Sequence, residues 1–298
     1  MPELVTPGFL DAPAEFCGWE GARFAILPMP YDSTCSYGVG CRHGPAAILD
    51  ASLQVEYYDD DLGLTPYEAG IATLRPVAQV ASGPADNIAA IEEVADEIVV
   101  AGKIPVGLGG EHSVSLALYR ALARRYPGLS VLQIDAHLDL RAAYQGSPYS
   151  HACVMRRILE EGARTVQVGI RSGDEDEWAL VAERNLTVFR AREIVPRPAE
   201  SWIPKVLAAL PAGPLFVTVD LDGFDPSVIP GTGTPEPGGL SWYQGLALLE
   251  AVCAARPVVG FDVVELQPVP GSRVSDFAAA KLVHKLMGYV LKGAPRGG

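Results

Sequence analysis

The chain has 298 residues, of which 49% are hydrophobic and 20% charged, with a formal net charge of -13. That length buries a substantial core, as one large domain or two small ones. The acidic excess excludes nucleic acid and anionic membrane as partners, because both require a basic face. No apolar run reaches the roughly 18 residues of a membrane span.

The opening stretch, "MPELVTPGFLDAPAEF", lacks the basic start and apolar run of a signal peptide. The five cysteines (Cys17, Cys35, Cys41, Cys153 and Cys253) are odd in number and irregularly spaced, which fits reduced thiols in a cytoplasm. Glycine and proline are spread along the chain rather than pooled, so residues 1–298 are expected to form a single domain.

In chain order, β-branched runs predict strands over 23–30, 69–74, 104–110, 129–137, 164–171, 186–191, 214–224 and 258–266. Amphipathic stretches lie between most of them. In residues 113–128, for example, Ser113 is the expected N-cap and Pro127-Gly128 the expected stop. Strands alternating with helices predict a mostly parallel sheet covered by helices, as a closed eight-stranded barrel or an open sheet. Both architectures put their chemistry at the carboxyl ends of the strands.

Three of those ends carry an unusual load. "VLQIDAHLD" finishes with Asp135, His137 and Asp139, which share one face if the strand continues through them. "VTVDLDGFDP" contributes Asp220 and Asp222, and "VGLGGEHS" contributes Glu111 and His112. Any one of these pieces is commonly a turn or a cap. Four aspartates at one sheet edge, however, repel each other and are costly to desolvate, a difficulty that polyvalent cations remove. Oxygen ligands with two imidazoles and no thiolate suit an ion such as Mn²⁺. Six ligands exceed one tetrahedral zinc and suit two ions about 3.5–4 Å apart. Four aspartates, two divalent ions and one hydroxide sum to about −1, a site for a cationic electrophile.

These segments, "GGEHS", "DAHLD" and "VDLDGFDPSVIPGTGTPEPGGL", resemble the signatures of the ureohydrolases, the arginase and agmatinase family. The resemblance extends to "YDSTCSYGVGCRHGPAAI" and "DVVEL", so it covers roughly residues 25–290. It implies a three-layer α/β/α sandwich on an open eight-stranded, mostly parallel sheet, a binuclear manganese site with two Mn²⁺ per subunit, and homo-oligomers of three or six chains. By position it implies that Asp135 and Asp220 bridge both ions, with His112 and Asp139 on one and His137 and Asp222 on the other. Glu265 matches the glutamate that grips the guanidinium, His151 the histidine that passes a proton to the leaving amine, and Thr234 an active-site threonine.

The implied reaction is hydrolysis of a small cationic guanidino substrate by a metal-bridging hydroxide, with the proton delivered by His151, or by Asp139 acting through its metal-bound water. The loop "LRAAYQGSPYSHA" looks like that of agmatinases rather than arginases, which favours agmatine, cleaved to putrescine and urea. Guanidinobutyrate, arginine and aminopropylagmatine are the alternatives. Arg141 bears on that choice, as an ion-pair partner or as a receptor for a substrate carboxylate. Glu111 stands where the family more often has aspartate, and is expected behind His112 rather than among the ligands. Rival readings are a related single-zinc enzyme, a cysteine-nucleophile enzyme using Cys153, and a non-catalytic ureohydrolase-like binding protein.

Overall fold

The computed structural model describes residues 2–293. The eight predicted strands all form: β1 (Phe24–Met29), β2 (Ile71–Thr73), β3 (Ile104–Gly109), β4 (Ser130–Ile134), β5 (Arg164–Ile170), β6 (Thr187–Arg190), β7 (Leu215–Asp220) and β8 (Val258–Val264). They make one open sheet in the order β2-β1-β3-β8-β7-β4-β5-β6, and every pairing is parallel. The barrel alternative is therefore set aside.

Helices cover both faces. On one face α1 (Gly44–Ser52), α7 (Ile203–Ala209), α8 (Trp242–Ala255) and α9 (Val274–Lys292) pack against Phe24, Ile26, Val106, Leu132, Val217 and Phe261. On the other, α2 (Pro84–Val100), α3 (Ser115–Arg125), α4 (Val154–Glu160) and α5 (Glu175–Arg184) meet Leu27, Met29, Val131, Phe216 and Val259. Alternate residues of one strand thus feed opposite cores, which is why the strands read as continuous apolar runs. A short α6 (Ala191–Ile194) follows β6. Where helices start, local chemistry is visible: Asp174 with Glu177 and Ser241 with Gln244 form capping boxes at α5 and α8. Ser113 is not the cap of α3. It lies in a 3-10 turn, His112–Val114, and its hydroxyl donates instead to Glu111.

Topology places the site. The chain runs from β3 across to β4, and β8 and β7 fill the gap between them, so the strand order reverses there. Ligands bind at such a switch point. The register sets Leu108, Val263, Val219 and Ile134 side by side, so four segments leave the sheet at one level. Behind that level the backbone is tightly packed. A Cβ on Gly110 would sit 1.9 Å from the carbonyl oxygen of Tyr31, and Glu111 N–H donates to that same oxygen at 2.7 Å.

Gly110→Ala is therefore expected to destabilise the protein by about 3 kcal/mol or more, since the obstacle is backbone that cannot repack. Equilibrium urea denaturation of the two proteins measures it; a difference under about 0.5 kcal/mol would contradict the close approach.

Candidate metal centre and pocket

β3, β8, β7 and β4 deliver all the predicted residues to one cleft of about 320 Å³, lined by His112, His137, Asp139, His151, Asp220, Asp222, Thr234 and Glu265 among others. Asp135 lies beneath them, fully buried.

The convergence does not come from strand periodicity, as expected from sequence. β4 stops at Ile134, and Asp135 to Asp139 form an irregular segment with a bend at Ala136. Asp139 takes a left-handed backbone, φ 54°, which aims its side chain back at His112. His137 is held by an isolated bridge to Ser172. Glu265 takes the same strained conformation, φ 65°, just past β8. Non-glycine residues in this region cost about 1–3 kcal/mol each and persist where surrounding structure enforces them.

The result is two groups that share Asp135. His112 Nδ1 stands 3.0 Å from Asp135 Oδ2, 3.0 Å from Asp139 Oδ2 and 3.4 Å from Asp220 Oδ2. His137 Nδ1 stands 3.0 Å from Asp222 Oδ2 and 3.6 Å from Asp135 Oδ1. His112 Nδ1 is fully buried and makes no hydrogen bond, although three carboxylates face it. A lone pair aimed into a ring of carboxylate oxygens fits a cation held between them, and all donors are of a type that binds borderline divalent ions.

Backbone donors brace the carboxylates. His137 N–H donates to Asp135 at 2.5 Å, Ala136 N–H to Asp222 at 3.0 Å, Asp222 N–H to Asp220 at 2.9 Å and His112 N–H to Glu265 at 2.7 Å.

Sequence reasoning missed a row of buried polar residues one layer below the ligands. Gln167, Gln133, Thr218 and Asp262 pair laterally across β5, β4, β7 and β8. Gln133 donates to Asp135 Oδ2 at 2.6 Å, while Thr218 Oγ1 lies 2.9 Å from His112 Nε2. The Thr218 contact fixes the ring so that Nδ1 faces the carboxylates, the usual means of orienting a ligating imidazole. The signal was present: Gln133 and Thr218 are lone polar residues in apolar strands, each two positions before an aspartate.

Glu111 is buried behind His112, as expected, but its role lies elsewhere. Its carboxylate accepts Thr34 N–H and Thr34 Oγ1–H, both at 2.6 Å, and Ser113 Oγ–H at 2.5 Å. Thr34 Oγ1 in turn accepts His151 N–H at 2.9 Å and lies 3.4 Å from His151 Nδ1. With its own proton given to Glu111, that oxygen can only accept from Nδ1, so His151 is held as the Nδ1–H tautomer with Nε2 as its free base. Thr34 was not singled out in the sequence.

Burial lowers the His151 pKa to about 4, against the raising effect of its Thr34 hydrogen bond, so the ring is neutral at pH 7. Burial and then Asp135 raise Asp139 to about 7; burial and then Glu111 raise Glu265 to about 8. Burial disfavours the charged form of His137, but Asp222 and Asp135 outweigh it and raise the ring to about 12.

Arg141 pairs with Asp174 at 2.5 Å, approaches Glu177 at 3.7 Å and stacks over Tyr144. Of its two predicted roles it fills the ion pair. Cys153 is fully buried and its thiol is raised to about 11, chiefly by that burial, which removes it as a nucleophile. Thr234 Oγ1 lies 3.4 Å from Asp222 Oδ2 at the cleft wall. All five cysteines are free thiols.

Residues 22–288 match the model of the Arginase family. The chain is 44% identical to an N(1)-aminopropylagmatine ureohydrolase of Synechocystis sp., over 97% of this chain and 96% of that protein. It is 37% identical to an agmatinase of Bacillus anthracis, over 91% and 93%. The agmatine ureohydrolase of Thermoplasma volcanium has a similar structure, with a TM-score of 0.83 and 31% identity over 92% of each chain.

Metal capture must displace protons from this centre, since ligands bind as bases. The raised Asp139 and His137 hold theirs near neutral pH. Mn²⁺ uptake is expected to release protons and to weaken as pH falls from about 8 to about 6. Titration calorimetry in buffers of different ionisation enthalpy checks both, and a pH-independent affinity without proton release would contradict the arrangement.

Proposed function

We propose a reaction on one premise: the chain belongs to the arginase family. It is a ureohydrolase, an enzyme that hydrolyses C–N bonds of guanidino compounds. Within that class we assign it a linear guanidino amine, N(1)-aminopropylagmatine first and agmatine second. The products are urea and the corresponding polyamine. The cofactor is two Mn²⁺ per subunit, in a homo-oligomeric, cytoplasmic enzyme.

The observation that carries the substrate reading is the state of Arg141. Its guanidinium is taken by Asp174 and Glu177, which leaves that part of the cleft with one net negative charge. A substrate tail ending in a carboxylate finds no free cation there, and an ammonium tail is welcome. This disfavours guanidinobutyrate and the α-carboxylate of arginine. Relatives named for aminopropylagmatine move that compound ahead of agmatine, which the sequence had put first.

His112 and Asp139 would hold one ion, His137 and Asp222 the other, with Asp135 and Asp220 shared; the split of Asp135 between both histidines supports this. When bound, the pair supplies Lewis acidity that brings the pKa of a water toward neutrality.

The remaining steps belong to the side chains. The Glu265 carboxylate, with Oε1 anchored on His112 N–H, offers its other oxygen to the guanidinium N–H groups. Thr234 closes the wall beside Asp222. His151, neutral and presenting Nε2, can take a proton there and pass it to the departing amine. Bond breaking at the guanidinium carbon then yields neutral urea and an ammonium product.

Urea release from the Mn²⁺-loaded enzyme is expected to rank N(1)-aminopropylagmatine above agmatine, with guanidinobutyrate and arginine far below. Preference for either acid would overturn the substrate assignment, and undiminished turnover in verified metal-free enzyme would overturn the reaction itself.

Thr34→Val is expected to lower kcat about tenfold or more with KM retained, while Thr34→Ser restores it. In a His151→Ala background the same change should cost kcat far less, because its effect on turnover runs through that ring. Additive losses in the double variant would show that Thr34 does something else.

A further inference from the structure

Outside the aspartate–histidine centre, two ligand-type side chains at the cleft have no part in the reaction. Cys35 and Cys41 face each other with Sγ atoms 3.3 Å apart, unbridged, beside Glu265. One ligand atom from each of the three lies within 4.8 Å of the others.

The arrangement is built rather than accidental. The segment carrying both thiols is clamped from several sides. Asp32 accepts Gly40 N–H at 3.0 Å and Arg42 N–H at 3.3 Å and also pairs with the Arg42 guanidinium. Gly38 N–H donates to Gly233 O at 3.1 Å, and a side chain at Gly38 would strike Gly233. Thr34, immediately before Cys35, is fixed on Glu111. The two thiols therefore meet in a stiff loop. Cys35 lines the cleft, while Cys41 is buried behind it.

We propose that Cys35, Cys41 and Glu265 form a third, inhibitory metal site for a thiophilic divalent ion of the zinc type. Two thiolates and one carboxylate, with a water from the cleft as fourth ligand, make the donor set such an ion prefers over Mn²⁺. Thiolates bound tetrahedrally at about 2.3 Å lie about 3.8 Å apart, so the pair need part by only about half an ångström.

Glu265 joins this site to the reaction, which here rests on the function proposed above. Its Oε1 is committed to His112 N–H, so an ion at the thiols takes the oxygen that the guanidinium would use. Occupation and substrate binding then exclude each other. The aspartate–histidine centre contains no sulfur, so a thiolate-to-metal absorbance separates the two sites.

The test uses Mn²⁺-loaded enzyme, kept reduced with a non-thiol reductant, and Cd²⁺ as the probe. Ultraviolet thiolate-to-cadmium charge-transfer absorbance should grow to one Cd²⁺ per subunit and vanish in Cys35→Ser and in Cys41→Ser. Urea release should fall in step, be restored by excess substrate, and resist Cd²⁺ at least tenfold better in Cys41→Ser. If Cys41→Ser fails to fold, Cys41→Ala serves the same comparison.

A charge-transfer band that persists in either variant overturns the site. So does wild-type inhibition that neither variant relieves, because that ion would be acting at the aspartate–histidine centre. An enzyme that shows the band but no turnover of any guanidino amine, even without Cd²⁺, would instead refute the proposed function and leave the thiol site standing.

Discussion

Electrostatic repulsion at the centre of the sheet governs this molecule. Asp135, Asp139, Asp220, Asp222 and Glu265 are all at most 8% exposed, and three of the aspartates lie within 3.4 Å of one imidazole nitrogen. Two like charges 4 Å apart repel by about 4 kcal/mol even at an effective dielectric of 20. Water relieves this only in part, because the groups meet it only at the floor of the cleft and Asp135 does not meet it at all. What the fold supplies is partial compensation: backbone N–H donors on Asp135, Asp220, Asp222 and Glu265, and protons retained on groups that would otherwise be ionised. Divalent cations complete it. The same repulsion that makes the site a liability to the bare protein makes it a strong ligand set.

That compensation explains features remote from the ligands. Left-handed backbone at Asp139 and Glu265 is unfavourable and is maintained by contacts on either side: Asp139 O accepts Arg156 N–H, and Glu265 N–H donates to Gly110 O. Gly110 is itself pinned against Tyr31. The row Gln167, Gln133, Thr218, Asp262 places polar groups inside an otherwise apolar sheet, where each is costly unless it has work to do. Gln133 and Thr218 orient Asp135 and His112 directly, and Gln167 secures the loop by donating to Leu138 O. Stability is surrendered in the strands to preorganise the residues that follow them.

The fold was legible because parallel strands buried on both faces cannot disguise themselves. Each of the eight is an apolar, β-branched run between helical stretches, and all eight formed, though shorter than read at their carboxyl ends. Those ends were the weak point. A period-two pattern in "DAHLD" suggested continued strand, whereas the residues form a loop with left-handed Asp139. The side chains still converge, because a loop can bring them together as well as a strand face can. Thr34 was illegible for a different reason. Its meaning lies in Glu111 and His151, 77 and 117 residues away in sequence, and no local pattern encodes that meeting. Nor could the chain by itself decide the role of Arg141, which depends on where Asp174 and Glu177 stand.

The separation of charge and proton chemistry follows from this layout. Carboxylates concentrate on the sheet edge, where a cation would find its ligands. His151 sits across the cleft on the turn before α4 and is kept neutral at pH 7 chiefly by burial. A cationic ring there would repel a guanidinium entering the cleft. A neutral ring with its Nδ1 proton committed toward Thr34 instead presents a lone pair at Nε2, able to accept a proton and surrender it again. Glu111 therefore reaches His151 through the Thr34 hydroxyl. The carboxylate one position before His112 is spent on a neutral base rather than on a metal.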